Sequence, residues 1–512
     1  MVLLPLLLNI DQWEDPPLLG SNSANVDLIS VNASFGAGGE QVLSFAGLGQ
    51  VTGVLVWICE DGNTDDATVT IGAAGANGSF VDTQYMCGIT ARDGASPTVA
   101  WSVAESGGIG GVINPADGTV DHKLSVNTFG ENKVNCTWDD DPGPTVYRIV
   151  ALGFGGSANT QVGSVTCSGT KDAAVTESMD KLAWKQPELL VCFGTQSALD
   201  VAPTADGHLA MGFATTANGS SISQAGHDMQ IKDSLITTSP GQLMKDPASG
   251  TPRVLDFARH NGGAADISSI EITAMTQGSA GSAASSFEVT TRDLGSSFEF
   301  GYICIATGGA EQFELADISL AEQASGGSIT GLTVTPDHMI MLLSGINYTE
   351  LDTETMGTAP AGTRAFSLTD GTSSYCINVL DRNNQSLSDT RTRYQPQFIY
   401  CDKHAGGSGL RGTLDSLDDN GFTYTTTSWI GTEDKQALVL VIGEAEAVPV
   451  QGQTGRGEVQ AAGSVEDMVR HAGSVQSEVQ HAGQNMSLVR AASSVRSSAR
   501  HAGSEASEIK GA

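Results

Sequence analysis

The sequence predicts an all-β fold: three tandem antiparallel β-sandwiches, jelly-roll-like, followed by a C-terminal tail of ten-residue repeats. The apolar runs are short, rich in Val, Ile, Thr and Ser, and interrupted by Gly, Asn, Asp or Pro about every 8–12 residues. No long stretch before residue 450 has apolar residues at helical spacing. One set of signatures recurs three times in the same order. Its period of roughly 130–155 residues is too long for a solenoid repeat and suits whole domains.

Each copy of the repeat has a buried-strand run, then an aromatic residue after a turn, and finally an apolar strand that ends in small residues. The buried-strand runs are 53–59, 187–193 and 336–343, the aromatic residues are Phe129, Phe298 and Phe422, and the last strands are 147–156, 302–309 and 438–445. The chain thus divides into an arm (1–24), three units (25–156, 157–309 and 310–446) and a tail (447–512).

The joints between the units contain no Pro/Ser linker, so we expect neighbouring units to pack closely or share a strand, as in a rod. Two insertions in the second unit, around 223–262 and 274–285, are rich in Gly, Ser and Ala. We expect these insertions to be surface loops.

The net charge of −33 lies entirely in residues 1–450, because the chain from residue 451 onward has six basic and six acidic residues. An acidic body repels phosphate backbones, which argues against a nucleic-acid partner. The eight cysteines include no C-x-x-C pair, which excludes a zinc ribbon and a thioredoxin-like motif. Several lie in apolar strands, where a free cysteine behaves as a small buried hydrophobe. We therefore expect reduced, inert thiols and folding in a cytoplasm.

The N-terminal arm is apolar but differs from a signal peptide. It has no basic residues, Pro5 interrupts its apolar run, and Asp11, Glu14 and Asp15 follow. It is also too short to span a bilayer, so we expect no membrane insertion. Two interpretations remain: the arm docks into a partner or a neighbouring copy, or it packs on its own first domain. The apolar residues concerned are Leu3, Leu4, Leu6, Leu7, Leu8, Ile10 and Trp13.

The tail repeats every ten residues from residue 461. As a helix it would form a tight left-handed coil with costly glycines; as β-structure its even period places all its valines on one face. The β interpretation is favoured, since Val and Ser suit strands. Either structure leaves a thin apolar stripe that needs a partner, so the tail predicts self-association, most simply as a homotrimer. The stripe consists of Val465, Val469, Val475, Val479, Val489 and Val495.

Motifs for catalysis or phosphate binding are missing from the sequence. The best metal candidate is Asp61, Asn63 and Asp65, whose alternating oxygen ligands could form a calcium loop. The EF-hand pattern fails, because Asp66 and Gly72 occupy its glycine and glutamate positions, so an acidic β-turn is the alternative. No other cofactor is expected.

Tyrosine and tryptophan are mildly enriched in the third unit. Exposed rings of this kind can stack on sugars, so this unit is the first place to expect a ligand surface. The candidate residues are Tyr348, Tyr394 and Trp429.

The repeated order of strands and turns resembles that of tandem β-sandwich virion proteins of tailed bacteriophages, in particular those of marine phages. The segments 421–427 and 437–443 carry this resemblance most clearly, and 146–156 comes next. The resemblance implies a non-enzymatic fibre, spike or decoration of a virion, made in the host cytoplasm and often contacting the host surface. It transfers no catalytic residues.

The resulting expectation is a virion structural protein with a role in host attachment. The arm would contact other virion proteins, the tail would join copies of the chain, and a host glycan or protein would be a further partner. Two other classes stay open. A secreted adhesin or carbohydrate-binding array is disfavoured because the sequence shows neither a signal peptide nor a disulfide framework. A β-sandwich glycan hydrolase is disfavoured because no copy of the repeat carries a special constellation.

Overall fold

A computed structural model describes most of the body of the chain, and all of the described residues lie in one compact unit, Met1–Ala445. The described residues are 25–35, 38–60, 66–142, 147–182, 184–217, 221–231, 241–244, 253–257, 269–279, 284–292, 297–321, 326–347, 355–356, 363–381, 390–401, 409–429 and 434–444. The arm and the tail lie outside them.

The described chain is all-β, as the sequence predicts, and its only helical residues are one 3-10 turn, Asp180–Leu182. The first sandwich consists of β1 (Val26–Asn32), β2 (Glu40–Ser44), β3 (Gly53–Glu60), β4 (Ala67–Asn77), β5 (Phe80–Arg92), β6 (Val99–Ser106), β7 (Gly110–Ile113), β8 (Val120–Gly130), β9 (Lys133–Trp138) and β10 (Tyr147–Phe154).

The second and third sandwiches follow directly along the chain. The second contains β11 (Asn159–Cys167), β12 (Ala174–Met179), β13 (Leu189–Gly194), β14 (Thr204–Ala205), β15 (Gly207–Ala217), β16 (Ser221–Ile231), β17 (Gly241–Met244), β18 (Leu255–Asp256), β19 (Ser269–Thr276), β20 (Ser285–Thr291) and β21 (Phe298–Ala306). The third contains β22 (Glu311–Leu320), β23 (Gly327–Thr330), β24 (His338–Asn347), β25 (Thr355–Met356), β26 (Thr363–Thr369), β27 (Ser374–Asp381), β28 (Thr390–Gln395), β29 (Ile399–Cys401), β30 (Leu410–Asp418), β31 (Gly421–Ser428) and β32 (Lys435–Glu444).

All three sandwiches have the same topology. The larger sheets have the strand orders β1-β10-β3-β4-β5-β6, β11-β21-β13-β15-β16-β17 and β22-β32-β24-β26-β27-β28. The smaller sheets are β2-β9-β8-β7, β12-β20-β19-β18 and β23-β31-β30-β29. In each sandwich the first strand pairs with the last, and the second strand pairs with the next to last. This nested pairing is typical of a jelly roll. The remaining strands of each sandwich form meanders. In the first sandwich a single pair, Phe80 with Thr128, joins the two sheets.

The larger sheets are buried on both faces, which explains why their strands are continuous apolar runs rather than alternating ones. In β3 the side chains of Val54 and Val56 pack against the smaller sheet of the same sandwich. Those of Leu55 and Trp57 belong to a core to which the larger sheets of all three sandwiches contribute. The second and third sandwiches likewise have their own inner cores. Among the described residues, the three sandwiches thus share one common core, and each sandwich has an inner core of its own.

Neighbouring sandwiches share strands, as the missing linkers suggest. The short strand β14 of the second sandwich pairs with β6 of the first, and β25 of the third pairs with β17 of the second. The two added strands pair in equivalent registers. Thr204 lies opposite Ser102 on β6, and Thr355 lies opposite Gln242, which occupies on β17 the position that Ser102 occupies on β6. Each addition covers the edge strand of the preceding sandwich.

The rod expectation is wrong, because the third sandwich packs back on the first. The backbone N–H of Thr68 in the first sandwich donates to Thr392 Oγ1 in the third, at 2.8 Å. At the equivalent place, the N–H of His208 in the second sandwich donates to Ser102 Oγ in the first, at 2.7 Å. Three sheets that are apolar on their outer faces can all be covered only if each contacts the others. End-to-end stacking would leave some of this surface in water.

The expectation of surface loops around 223–262 is also wrong for the part that the structure describes. Its small residues lie in the strand β16, and β17 and β18 follow within the same range. Gly226 shows why small residues are needed there: a Cβ on it would lie 2.3 Å from the carbonyl oxygen of Val254. The glycine thus permits close contact between two sheets.

Substitution of Gly212 by Ala is expected to destabilise the chain, because its added Cβ would lie 1.7 Å from the backbone oxygen of Val254. Overpacking of this kind costs about 1–3 kcal/mol. The measurement is thermal unfolding followed by circular dichroism. The matched control is Ser367→Ala at the equivalent position of the third sandwich, where a side chain already fits. Equal melting temperatures for the two variants would contradict the role given to this glycine.

Candidate functional site

The contact between the second and third sandwiches contains a fully buried arginine, Arg364 on β26. By strand register it occupies the position of Val69 in the first sandwich and Leu209 in the second. Its Nη1 donates to the backbone oxygen of Leu209, and its guanidinium lies 4.4 Å from the ring centroid of Phe366. Burial lowers the pKa of Arg364 to about 9, and the carboxylate of Asp228 opposes this shift. The arginine thus remains charged at neutral pH inside an apolar contact.

Asp228 also lies beside a buried histidine. Its Oδ2 atom is 3.5 Å from Nδ1 of His208, and both side chains are at most 1% exposed. The ring of Phe257 meets the imidazole edge-on, with 6.1 Å between centroids. A carboxylate beside an imidazole can orient a general base. Here the side chains are too buried for a substrate to reach the imidazole.

The three sandwich contacts are not identical, and the difference opens a cleft. Between the first and second sandwiches, Gly53 lets Thr160 approach so closely that a Cβ on the glycine would lie 2.5 Å from the threonine Oγ1. By strand register, Leu189 and Phe313 take these two positions between the second and third sandwiches. Larger side chains hold the two sandwiches apart at this point.

A second pair of positions has changed in the same direction. Gly75 lies against Val162 in the first contact, with 3.3 Å between its ideal Cβ and the valine nitrogen. The corresponding residues in the second contact are Thr215 and Leu315. Both line the cleft. The symmetry of the repeat is thus broken at this interface.

The cleft has a volume of about 630 Å³, within the range of small-molecule sites. Most of the residues that line it have polar side chains, and they come from both sandwiches: Lys185, Gln186, Glu188, Thr215, Thr216, Ser223, Gln277, Gly308, Gly309, Glu311, Gln312, Phe313, Glu314, Leu315, Thr333 and Val334.

Two of the lining carboxylates are fixed by backbone N–H groups. Glu188 Oε2 accepts from the N–H groups of Gly308 at 2.8 Å and Gly309 at 3.3 Å. Glu314 Oε2 accepts from the N–H groups of Thr333 at 2.6 Å and Val334 at 3.0 Å. These bonds hold the carboxylates in place without a bound ligand, so the walls of the cleft are preorganised.

Lys185 supplies the positive charge among the lining residues. Its Nζ donates to the backbone oxygen of Ser157 at 2.6 Å. Partial burial lowers the pKa of Lys185, and the neighbouring Glu188 opposes this shift. With three glutamates facing one lysine, the lining carries a negative formal charge.

Trp184 precedes Lys185 in the chain and is 49% exposed. Its φ of +64° lies in the left-handed region, which a bulky side chain rarely adopts. The turn is closed by a hydrogen bond of 2.9 Å from the N–H of Lys185 to the oxygen of Leu182. A tryptophan in place of glycine at such a position costs about 1–2 kcal/mol. Strain of this kind, combined with exposure of a large ring, points to a role outside folding.

The predicted ligand surface of the third unit is not supported at Tyr394. This residue is only 8% exposed, its ring lies 4.4 Å from the guanidinium carbon of Arg148, and its hydroxyl is 2.9 Å from Ser30 Oγ. Both partners belong to the first sandwich, so Tyr394 is an interface residue inside the chain. Trp429 packs half-buried against the inner core of the third sandwich. Tyr348 lies outside the described residues.

The other predicted sites also lie outside the described residues: the calcium loop, the apolar arm and the valine stripe of the tail. Next to the loop, Asp66 Oδ1 accepts from the N–H of Asp93 at 2.7 Å, and Asp93 Oδ1 accepts from the N–H of Thr390 at 3.1 Å. Asp93 therefore links the first and third sandwiches, and Asp66 accepts a hydrogen bond from its backbone N–H. Within the described residues, no group of three or more His, Cys, Asp or Glu side chains could hold a metal ion.

All eight cysteines are free and buried. Burial raises the pKa of the Cys167 and Cys376 thiols to about 12, and it raises the pKa of Cys192 as well. The reactive thiolate is thus disfavoured at neutral pH, and these thiols act as packing groups.

Sequence reasoning missed both Arg364 and the cleft. A signal for the arginine was present, because a charged residue interrupts a strand that is apolar in the other units. The cleft had a weaker signal, the replacement of Gly53 and Gly75 by larger residues, which becomes readable only once the strand register is known.

Comparison with family models, with curated proteins and with solved structures gave no match. No helix in the described part of the chain is long and apolar enough to cross a membrane.

Replacing Arg364 by Ala is expected to lower the free energy of unfolding by about 3–5 kcal/mol, because Asp228 then keeps a buried charge without its counter-charge. Adding Asp228→Asn should cost less than the sum of the two single changes. Denaturant unfolding of the two single variants and the double variant measures this coupling. Arg148→Ala, at a partly exposed cation–π contact, is the control and should cost about 0.5–1 kcal/mol. Additive effects at Arg364 and Asp228 would contradict an electrostatic interaction between the two side chains.

Stability is expected to fall as the pH rises above 9, the ordinary pKa of a thiol. Unfolded Cys167 and Cys376 lose their protons there, whereas the folded thiols, with pKa values of about 12, keep theirs. Their contribution is therefore fully present below pH 9 and is lost toward pH 12. Urea midpoints between pH 8 and 11 provide the measurement, with the variant that has Ala at both positions as the control. The same slope in that variant and in the unchanged chain would exclude the thiols as the cause.

Proposed function

We propose that this chain is a non-enzymatic structural protein of a tailed-phage particle, a fibre, spike or decoration that takes part in host attachment. The common core of the three sandwiches is the observation that carries the proposal. Because the larger sheets cover one another, one sandwich cannot open without exposing apolar surface of the other two. A body of this kind resists local unfolding and proteolysis, as a protein on the outside of a particle must.

The polar groups of the described body favour the same role. The buried His208–Asp228 pair is closed to substrate, and burial raises the pKa of thiols such as Cys167 and Cys376. The acidic surface suits a protein that works outside the cell and does not bind nucleic acid.

The remaining segments have roles that follow from the sequence. The apolar arm would dock into another virion protein. Burial of its leucines, isoleucine and tryptophan could supply on the order of 10 kcal/mol before ordering costs. The valine stripe of the tail would join copies of the chain, most simply as a homotrimer.

The test is mass spectrometry of gradient-purified particles from a lysate that contains the chain. Its peptides should sediment with the capsid proteins in constant proportion, while abundant host proteins should be lost. A chain recovered only from the soluble fraction would overturn the proposal.

The same particles allow a test of the arm. A chain that lacks residues 1–13 should keep its β-sheet circular dichroism but no longer sediment with particles. The control is a chain that lacks an equally long piece at the end of the tail, 500–512, which should still sediment. Loss of the β-sheet signal in the first variant would place the arm in the core of the first sandwich instead.

A further inference from the structure

We infer that the cleft between the second and third sandwiches binds a neutral saccharide, with Trp184 as an aromatic platform beside it. The inference deepens the proposed attachment role and depends on that role only for its biological setting, since binding can be measured on the isolated chain.

The lining decides the class of ligand. Its negative charge disfavours phosphates, sulfated glycans and nucleic acids. A divalent cation is disfavoured because Glu188 and Glu314 already accept hydrogen bonds from the backbone. An apolar ligand would bury Lys185 and the fixed carboxylates of Glu188 and Glu314 without replacing their contacts with water, which costs free energy. Hydroxyl, amide and fixed carboxylate groups instead match the alternating donors and acceptors of a sugar.

The position of the cleft supports a dedicated site. It lies between the second and third sandwiches, where larger residues replace the glycines that are present between the first and second. The cleft is therefore not a general consequence of the repeat. Thr215, which replaces Gly75, is itself a lining residue with a hydroxyl group. Gln312 adds an amide from the third sandwich. A ligand in the cleft would therefore contact both sandwiches.

Trp184 provides the second, independent observation. Sugar rings have an apolar face that packs on an indole, and tryptophan presents the largest such surface. The backbone conformation of Trp184 favours glycine, so a tryptophan there destabilises the fold. Because the side chain is half exposed, its packing in a core does not offset this cost. It directly precedes the lining residue Lys185 in the chain, so its backbone lies next to the cleft.

The experiment uses the purified full chain on an array of immobilised neutral oligosaccharides that contain glucose, galactose, mannose or N-acetylglucosamine. Sialylated and sulfated glycans and an amine-bearing linker serve as charged comparators. The glycan with the strongest signal is then titrated by calorimetry at two salt concentrations. Binding to a neutral glycan that is insensitive to salt is the expected result.

Trp184→Gly is the decisive variant, because glycine suits the positive φ and should leave the melting temperature unchanged or higher. We expect it to weaken binding at least about tenfold, and we expect a similar loss for Thr215→Val, which removes only the hydroxyl. The matched control is Phe80→Ala, an exposed aromatic residue of the first sandwich that should bind as the unchanged chain does.

Several outcomes would overturn the inference: no binding to any neutral glycan, unchanged binding in both cleft variants, or salt-sensitive binding to the amine surface alone. The last result would indicate a cationic protein partner. None of these outcomes affects the detection of the chain in particles. Conversely, glycan binding by a chain that is absent from particles would overturn only the proposed particle role.

Discussion

The burial of the larger sheets on both faces is the constraint on which the rest of this structure depends. Each of these sheets covers the smaller sheet of its own sandwich with one face and must cover its other apolar face as well. The three sheets meet this need together, through one common core. That solution requires contacts between the first and third sandwiches, short connections along the chain, and strand additions that close the exposed edges.

Because the three sandwiches are repeats, equivalent strand positions meet in each contact between them. The contacts differ where the residues at these positions differ. Glycines let the first and second sandwiches come together at Gly53 and Gly75. Larger residues in the next contact hold the sandwiches apart and leave a cleft between them. The same contact contains Arg364 in a place that is apolar elsewhere. The cleft and the buried charge thus lie at the same interface, between the second and third sandwiches.

Buried charge also orients this interface. A guanidinium in an apolar contact is stable only where a carboxylate and a carbonyl compensate it, so it favours one arrangement of the two sandwiches over others that bury a similar area. Arg364 finds these partners in Asp228 and in the backbone of Leu209. Apolar packing supplies the attraction between the sandwiches, and this polar contact specifies their register.

The sequence by itself determined the all-β class, because strand-length apolar runs such as that of β3 and frequent turn residues follow from local physics. It also indicated close packing between neighbouring units. Only the tertiary structure decided that the third sandwich returns to the first, that Tyr394 is an interface residue, and that a cleft opens between the second and third sandwiches. These features depend on which faces of distant strands meet. That is set by the summed burial of many side chains and by strand register, neither of which is encoded in any single segment.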